Sequence, residues 1–219
     1  MKQRPSFPAR LDDTLAKNRP NTVGKVVVVP TKPVAHMPPS APTARATSAA
    51  AVAAPQGHGM ESSAVRTRMV QKLAAQGISD PQVLGAMGAI ERHRFVDSAL
   101  INQAYEDTSL PIGLGQTISK PGVVSRMLEL MRNGQSGRLG RLLEIGTGCG
   151  YQAAVLSLLA TEVYSIERLR GLHDKARDNL RHLRLANLHL LFGDGMEGYA
   201  KGAPYAAIIA AAGGEAVPQ

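Results

Sequence analysis

From residue 121 to the end, short apolar runs alternate with stretches in which apolar residues recur every three or four positions. Val123, Val124, Met127, Leu128 and Met131 predict a helix ending near Asn133. Leu142 to Ile145 reads as a strand and Ala153 to Leu159 as a helix. Glu162 to Glu167, with Val163 and Ile166 apolar, reads as a second strand. Leu169 to Leu183 is amphipathic, with Leu172, Ala176 and Leu180 four residues apart. Leu188 to Phe192 and Tyr205 to Ala210 complete the strands. This alternation implies an α/β fold, a doubly wound and mostly parallel sheet with right-handed crossovers.

Upstream, Val65, Met69, Leu73 and Gln76 share one helical face, and Gly77 stands where that helix ends. Asp80-Pro81 reads as a cap followed by proline at the first helical position, with Val83, Leu84, Met87 and Ile90 as the apolar stripe of this second helix. Arg92 to Lys120 follows as a long loop, a length that points to function. Residues 1–60 hold nine of the fourteen prolines and few large apolar side chains, so they are expected to be a disordered basic extension. The ordered domain is expected over 61–219.

The junction Leu142-Leu143-Glu144-Ile145-Gly146-Thr147-Gly148-Cys149-Gly150-Tyr151 carries the strongest chemical signal. A strand ends in an acid, and glycines at 146, 148 and 150 precede a helix. Glycines there allow a tight turn and close approach of a ligand. A dinucleotide fingerprint needs glycine or alanine where Tyr151 stands. The pattern E-x-G-x-G-x-G instead resembles the first motif of S-adenosylmethionine-dependent methyltransferases, which implies S-adenosyl-L-methionine as cofactor. Glu144 is then expected to attract the ligand's sulfonium and ammonium charges. Glu167, at the end of the second strand, is placed for two ribose hydroxyls. Asp194, within Gly193-Asp194-Gly195, is placed for an adenine amino group, although Asp-Gly is also ordinary turn chemistry. Three such strand ends converge on one crevice.

The net charge of +8 divides unevenly. Residues 1–60 contribute eight Lys/Arg against Asp12 and Asp13, or +6, and the remaining seventeen basic and fifteen acidic residues give +2. The core is therefore nearly neutral, which argues against a nucleic-acid partner. The one cysteine, Cys149, excludes an internal disulfide and a cysteine-rich metal site, and reads as a small space-filler. No apolar run approaches the ~20 residues of a membrane span. A cytoplasmic protein is the resulting expectation.

The long loop sharpens this. Arg92-His93-Arg94-Phe95-Val96, Ala104-Tyr105-Glu106-Asp107 and Leu110-Pro111-Ile112-Gly113-Leu114-Gly115-Gln116-Thr117-Ile118-Ser119 precede the glycine motif. Val163-Tyr164-Ser165-Ile166-Glu167-Arg168 and Gly193-Asp194-Gly195 follow it. In this order, over roughly residues 64–218, the chain resembles the protein-L-isoaspartate O-methyltransferases. The resemblance implies a Rossmann-like domain of methyltransferase type and methyl transfer to the free carboxylate of L-isoaspartyl residues in damaged proteins, which are its partners, acting as a monomer. The ester then closes to a succinimide that reopens partly to aspartate. It further implies Ser119 as the catalytic residue and Gln116, Thr117, Ile118 and Ser119 as the substrate segment. Glu144, Gly146, Gly148 and Gly150 would hold the methionine end of the cofactor, Glu167 the ribose, and Asp194 with Gly195 the adenine region, with no metal.

The chemistry agrees. A carboxylate is ionised at neutral pH and needs no strong base, so orientation by the Thr117 and Ser119 hydroxyls suffices. Read without the resemblance, Ser119 is a helix N-cap before Pro121, Asp107 lines the peptide site or caps a turn, and Tyr151 packs on the cofactor or in the core. His93 reads as part of a surface basic cluster with Arg92 and Arg94. The chain departs from the family at Ala206, where an acid is usual, and at Ala210-Ala211-Ala212. It stops at Gln219, about three strands and a helix early, so a truncated and less stable product is expected, with the fourth strand as an edge. Two alternatives remain: a non-catalytic remnant that binds cofactor or partner, and a nucleic-acid methyltransferase.

Overall fold

The computed structural model describes residues 63–213. The expected extension over 1–60 lies outside them. Helix α1 (Ser63–Ala75) ends at Gly77, which takes a positive φ, and buries Met69 and Leu73. Helix α2 (Pro81–Ala89) starts as the sequence predicts: the Asp80 carboxylate accepts the Gln82 and Val83 N–H groups at 2.8 and 3.2 Å. The expected loop carries more structure than its sequence implies. It holds 3-10 turns at Arg92–Phe95 and Ser98–Gln103, then an antiparallel pair, β1 (Leu110–Gly113) with β2 (Gln116–Ile118). Strands of three and four residues interrupted by Pro111 and Gly113 are too short for a period of two to show.

Helix α3 (Pro121–Arg132) leads to β3 (Leu139–Ile145), which begins three residues earlier than the apolar run predicts. Then come α4 (Tyr151–Leu159), β4 (Ala160–Glu167), α5 (Arg170–Leu180), β5 (Leu188–Phe192) and β6 (Ala207–Ala210). The end of the predicted fifth helix, Arg181–Leu183, tightens into a 3-10 turn.

The four long strands form one parallel sheet in the order β5-β4-β3-β6. The chain winds from β3 outward to β5, then returns to the other side of β3. The strand order thus reverses at β3, and the carboxyl end of that strand is where such sheets open a crevice. Helix α4 packs on β4 and also against α2, so it is covered on both sides. That explains its composition: Leu158 is its one exposed residue, and an all-round apolar helix needs such a double cover.

A polar clamp joins α2 to α3. Arg132, 1% exposed, donates through Nε to Asp80 at 2.7 Å and through its Nη atoms to the carbonyls of Gln135 and Gly137 at 2.6 and 2.9 Å. Removing one partner of a buried ion pair strands the other. Arg132→Ala is therefore expected to lower the unfolding free energy by about 3 kcal/mol, read from the shift of the urea midpoint.

Candidate functional site

Three parallel strands end side by side, and the backbone beyond them is knitted together. The N–H groups of Gly146 and Thr147 both reach the Ile166 carbonyl of β4, at 2.9 and 3.2 Å. The Glu167 carboxylate at the tip of β4 accepts the Gly148 N–H at 2.9 Å through one oxygen and the Leu169 N–H at 2.9 Å through the other. Beyond β5, the Gly193 N–H bonds the Glu167 carbonyl at 3.1 Å. Each Glu167 oxygen retains a lone pair after its backbone bond, so the group keeps acceptor capacity toward a diol. Asp194 is exposed, and its Oδ1 accepts the Met196 N–H at 2.9 Å, the Asx turn weighed from sequence.

The glycines serve different neighbours. A Cβ on Gly146 would lie 2.6 Å from that of Ala212, just past β6, so the loop crosses close to the neighbouring strand at the switch point. A Cβ on Gly150 would meet Leu180 at 2.8 Å and Ala176 at 3.3 Å. Gly150 thus sets the start of α4 against α5, a packing role that the ligand reading did not include. Gly195 packs with equal closeness on Ile145. Gly148 faces the hairpin, where the Ile112 side chain is the nearest group.

Glu144 lies beneath the loop, with no exposure. Its Oε2 accepts the Ser165 hydroxyl at 2.5 Å, and Ser165 is bonded in turn by Thr147 Oγ1 at 2.6 Å. Burial pushes the Glu144 carboxyl up to about 8, against the opposing pull of the Ser165 hydrogen bond. Through Ser165 and Thr147 the same carboxyl also supports the loop from below. A lone serine in a buried strand beside Glu167 was the available signal for this chain of hydroxyls.

The segment expected to meet substrate lies on β2 and its end, paired with β1, whose Ile112 side chain lies nearest Gly148 of the loop. Ile118 points into the core, so Thr117 and Ser119 on either side of it turn to the other face; Thr117 is exposed and Ser119 half-buried. Gln116 is exposed at the start of β2. Lys175 of α5 pins the hairpin by donating to the Ile112 carbonyl at 2.9 Å and pairing with Asp97 at 3.1 Å. Ser119 does not cap α3. The N-cap is Lys120, which has no side-chain cap bond, and Asp107 reaches in to accept the Gly122 N–H at 2.7 Å. Of the two readings of Asp107, the capping one describes its contacts, although the end it caps is a helix.

The expected surface cluster is also corrected. Arg92 is fully buried and His93 is 8% exposed, with His93 Nδ1 2.6 Å from the Tyr105 hydroxyl. The 3-10 turn rolls both side chains inward, and Arg94 alone stays outside, paired with Glu91. Tyr151 is a core aromatic, 1% exposed and edge-on to Phe95. Cys149 is buried, as its small size suggested.

The comparisons with known proteins match this arrangement. The family model described as Protein-L-isoaspartate(D-aspartate) O-methyltransferase (PCMT) matches residues 64–219. The chain belongs to this family. A protein-L-isoaspartate O-methyltransferase of Leptothrix cholodnii is 57% identical over 199 residues, covering 90% of this chain and 69% of that protein. One from Methylibium petroleiphilum is 54% identical over 216 residues, covering 98% and 77%. A solved protein-L-isoaspartate O-methyltransferase is similar with a TM-score of 0.63 at 30% identity, covering 70% of this chain and 50% of that one. A putative family member from Plasmodium falciparum, solved in complex with S-adenosyl-L-homocysteine, shares the fold with a TM-score of 0.58 at 20% identity, covering 70% of this chain and 76% of that one.

The family is S-adenosyl-L-methionine-dependent, and the residues present fit that group. Beneath the loop, the buried Glu144 carboxyl and Gln152 amide face one another as a polar pair at the floor of the crevice. Above them, the three loop glycines present bare backbone with φ of 93°, 57° and 91°. Among the described residues, no three His, Cys, Asp or Glu side chains gather as a metal site, and no helix is long and apolar enough to cross a membrane.

The Glu144 shift has a pH signature. Between about 4.5 and 8 the unfolded chain ionises this carboxyl while the folded chain keeps it protonated, so stability from this group declines as pH rises through that window. Glu144→Gln removes the titration. The melting temperature of the wild type is expected to fall relative to the variant from about pH 5 to 8, and parallel profiles would contradict a neutral Glu144.

Proposed function

We propose that this chain transfers a methyl group from S-adenosyl-L-methionine to the carboxylate of L-isoaspartyl residues in damaged proteins. The reading is supported by the β1–β2 hairpin, which carries Gln116–Ile118 and brings Ile112 against Gly148 of the loop at the sheet's switch point, in a chain of this family. When bound, the cofactor supplies a sulfonium methyl carbon, to which a carboxylate oxygen bonds as the carbon–sulfur bond breaks to leave a neutral thioether.

The protein's own work is orientation and exclusion of water. The Ser119 and Thr117 hydroxyls donate to the isoaspartyl carboxylate and aim one oxygen at the methyl carbon. Neutral donors suit a nucleophile whose negative charge must remain available to react. Glu167 accepts the ribose hydroxyls, and Asp194 with Gly195 borders the adenine. Gly146, Gly148 and Gly150 shape the methionine end, and Glu144 supports them from below. A single buried cysteine fits a reducing, cytoplasmic setting.

Tritiated methyl transfer to an isoaspartyl peptide, with the aspartyl peptide as control, tests the reading. The full chain is expected to label the first only; labelling of neither would favour the non-catalytic alternative. Ser119→Ala is expected to lower kcat about 100-fold while S-adenosyl-L-homocysteine still binds. Unchanged turnover in that variant would remove Ser119 from catalysis.

A further inference from the structure

Arg92 is a buried cation that links the Ser119 backbone to Tyr151 at the start of α4. It is fully buried, yet no carboxylate pairs with it among the described residues. Its Nε donates to the Ala104 carbonyl at 2.8 Å, and its Nη2 donates to the Ser119 carbonyl at 2.8 Å. Its guanidinium carbon lies 4.8 Å from the centroid of the Tyr151 ring, and Tyr151 is the first residue of α4 after the glycine loop. The Tyr151 hydroxyl is also close enough to act as a hydrogen-bond partner of the guanidinium. A buried charge without a counter-ion is unfavourable. Two carbonyls and one π face partly compensate it, and that geometry needs a planar fork.

We propose that Arg92 is a positioning residue that sets the Ser119 hydroxyl in register with the glycine loop by gripping the Ser119 backbone and resting on Tyr151. This deepens the methyl-transfer reading and rests on it. Arg92 touches neither substrate nor cofactor. It fixes one side of the Ser119–Gly122 corner, and Asp107 fixes the other through the Gly122 N–H and Lys120 Nζ, the latter at 3.4 Å. In-line methyl transfer is sensitive to the placement of the oriented oxygen, and a displacement near 1 Å can cost on the order of 100-fold in rate.

Arg92→Lys keeps the charge but not the fork, and Arg92→Gln keeps a planar donor but not the charge. Both are compared with the wild-type full chain well below their melting temperatures. For both variants, kcat on the isoaspartyl peptide is expected to fall about 100-fold, with KM and the S-adenosyl-L-homocysteine Kd from calorimetry each within about threefold. Hydrogen exchange of residues 116–122 is expected to rise at least about tenfold in both. Wild-type kcat in Arg92→Lys with loss in Arg92→Gln would mean that charge alone matters and overturns the proposal. So would unchanged exchange over 116–122, or failure of both variants to fold, which would make the residue structural only. A wild-type chain that neither binds nor methylates the isoaspartyl peptide would instead overturn the methyl-transfer reading, and this inference with it.

Discussion

The structure depends on one tight junction, in which a buried parallel strand must become a buried helix within five residues. Between Ile145 and Tyr151 the backbone loses its ladder partners while still inside the protein, and each freed N–H must find an acceptor. The neighbouring strand provides them. The Ile166 carbonyl takes two of these groups, the Glu167 carboxylate takes a third, and the Thr147 carbonyl accepts the Gly150 N–H at 3.0 Å. The loop is therefore held by β4, and the same β4 tip supplies the acid suited to a ribose. Local stability and ligand chemistry share one residue.

Burial explains why polar groups near this junction occur in chains. Glu144, Ser165 and Thr147 form a line of short hydrogen bonds beneath the loop, because an isolated polar group there would carry a large desolvation penalty. Arg92 follows the same rule with different partners, sharing its donors between two backbone carbonyls and leaning on an aromatic face. In both cases a side chain that reads as reactive is buried, Glu144 bonded to the Ser165 hydroxyl and Arg92 to two backbone carbonyls. The groups that remain available to a ligand include the Thr117 and Ser119 hydroxyls, the free lone pairs of Glu167, the Asp194 edge and the bare loop backbone.

The hairpin and the 3-10 turns before α3 convert this scaffold into a site. Lys175, Arg92 and Asp107 reach the segment from α5, from the first 3-10 turn and from the chain just before β1. A short strand pair with exposed polar residues has little apolar area of its own to bury. Its position depends on these three tethers, and it gains firmness as part of the packed domain.

Much of this was legible in the sequence. The alternation of apolar runs and helical stripes determines the α/β class, because burial on both faces of a parallel strand and one face of a helix leaves distinct periods. Asp80-Pro81 marks the start of α2, because capping is local chemistry. The motifs determine the family, and they order Glu144, Glu167 and Asp194 at successive strand ends. Tertiary structure decided what periodicity does not encode. It turned Arg92 and His93 inward, gave the α3 cap to Asp107 instead of Ser119, raised the Glu144 carboxyl by removing water from it, and assigned Gly150 to a contact with Leu180. Each of these depends on groups distant in the chain that meet only after the sheet closes, so no local pattern carries them.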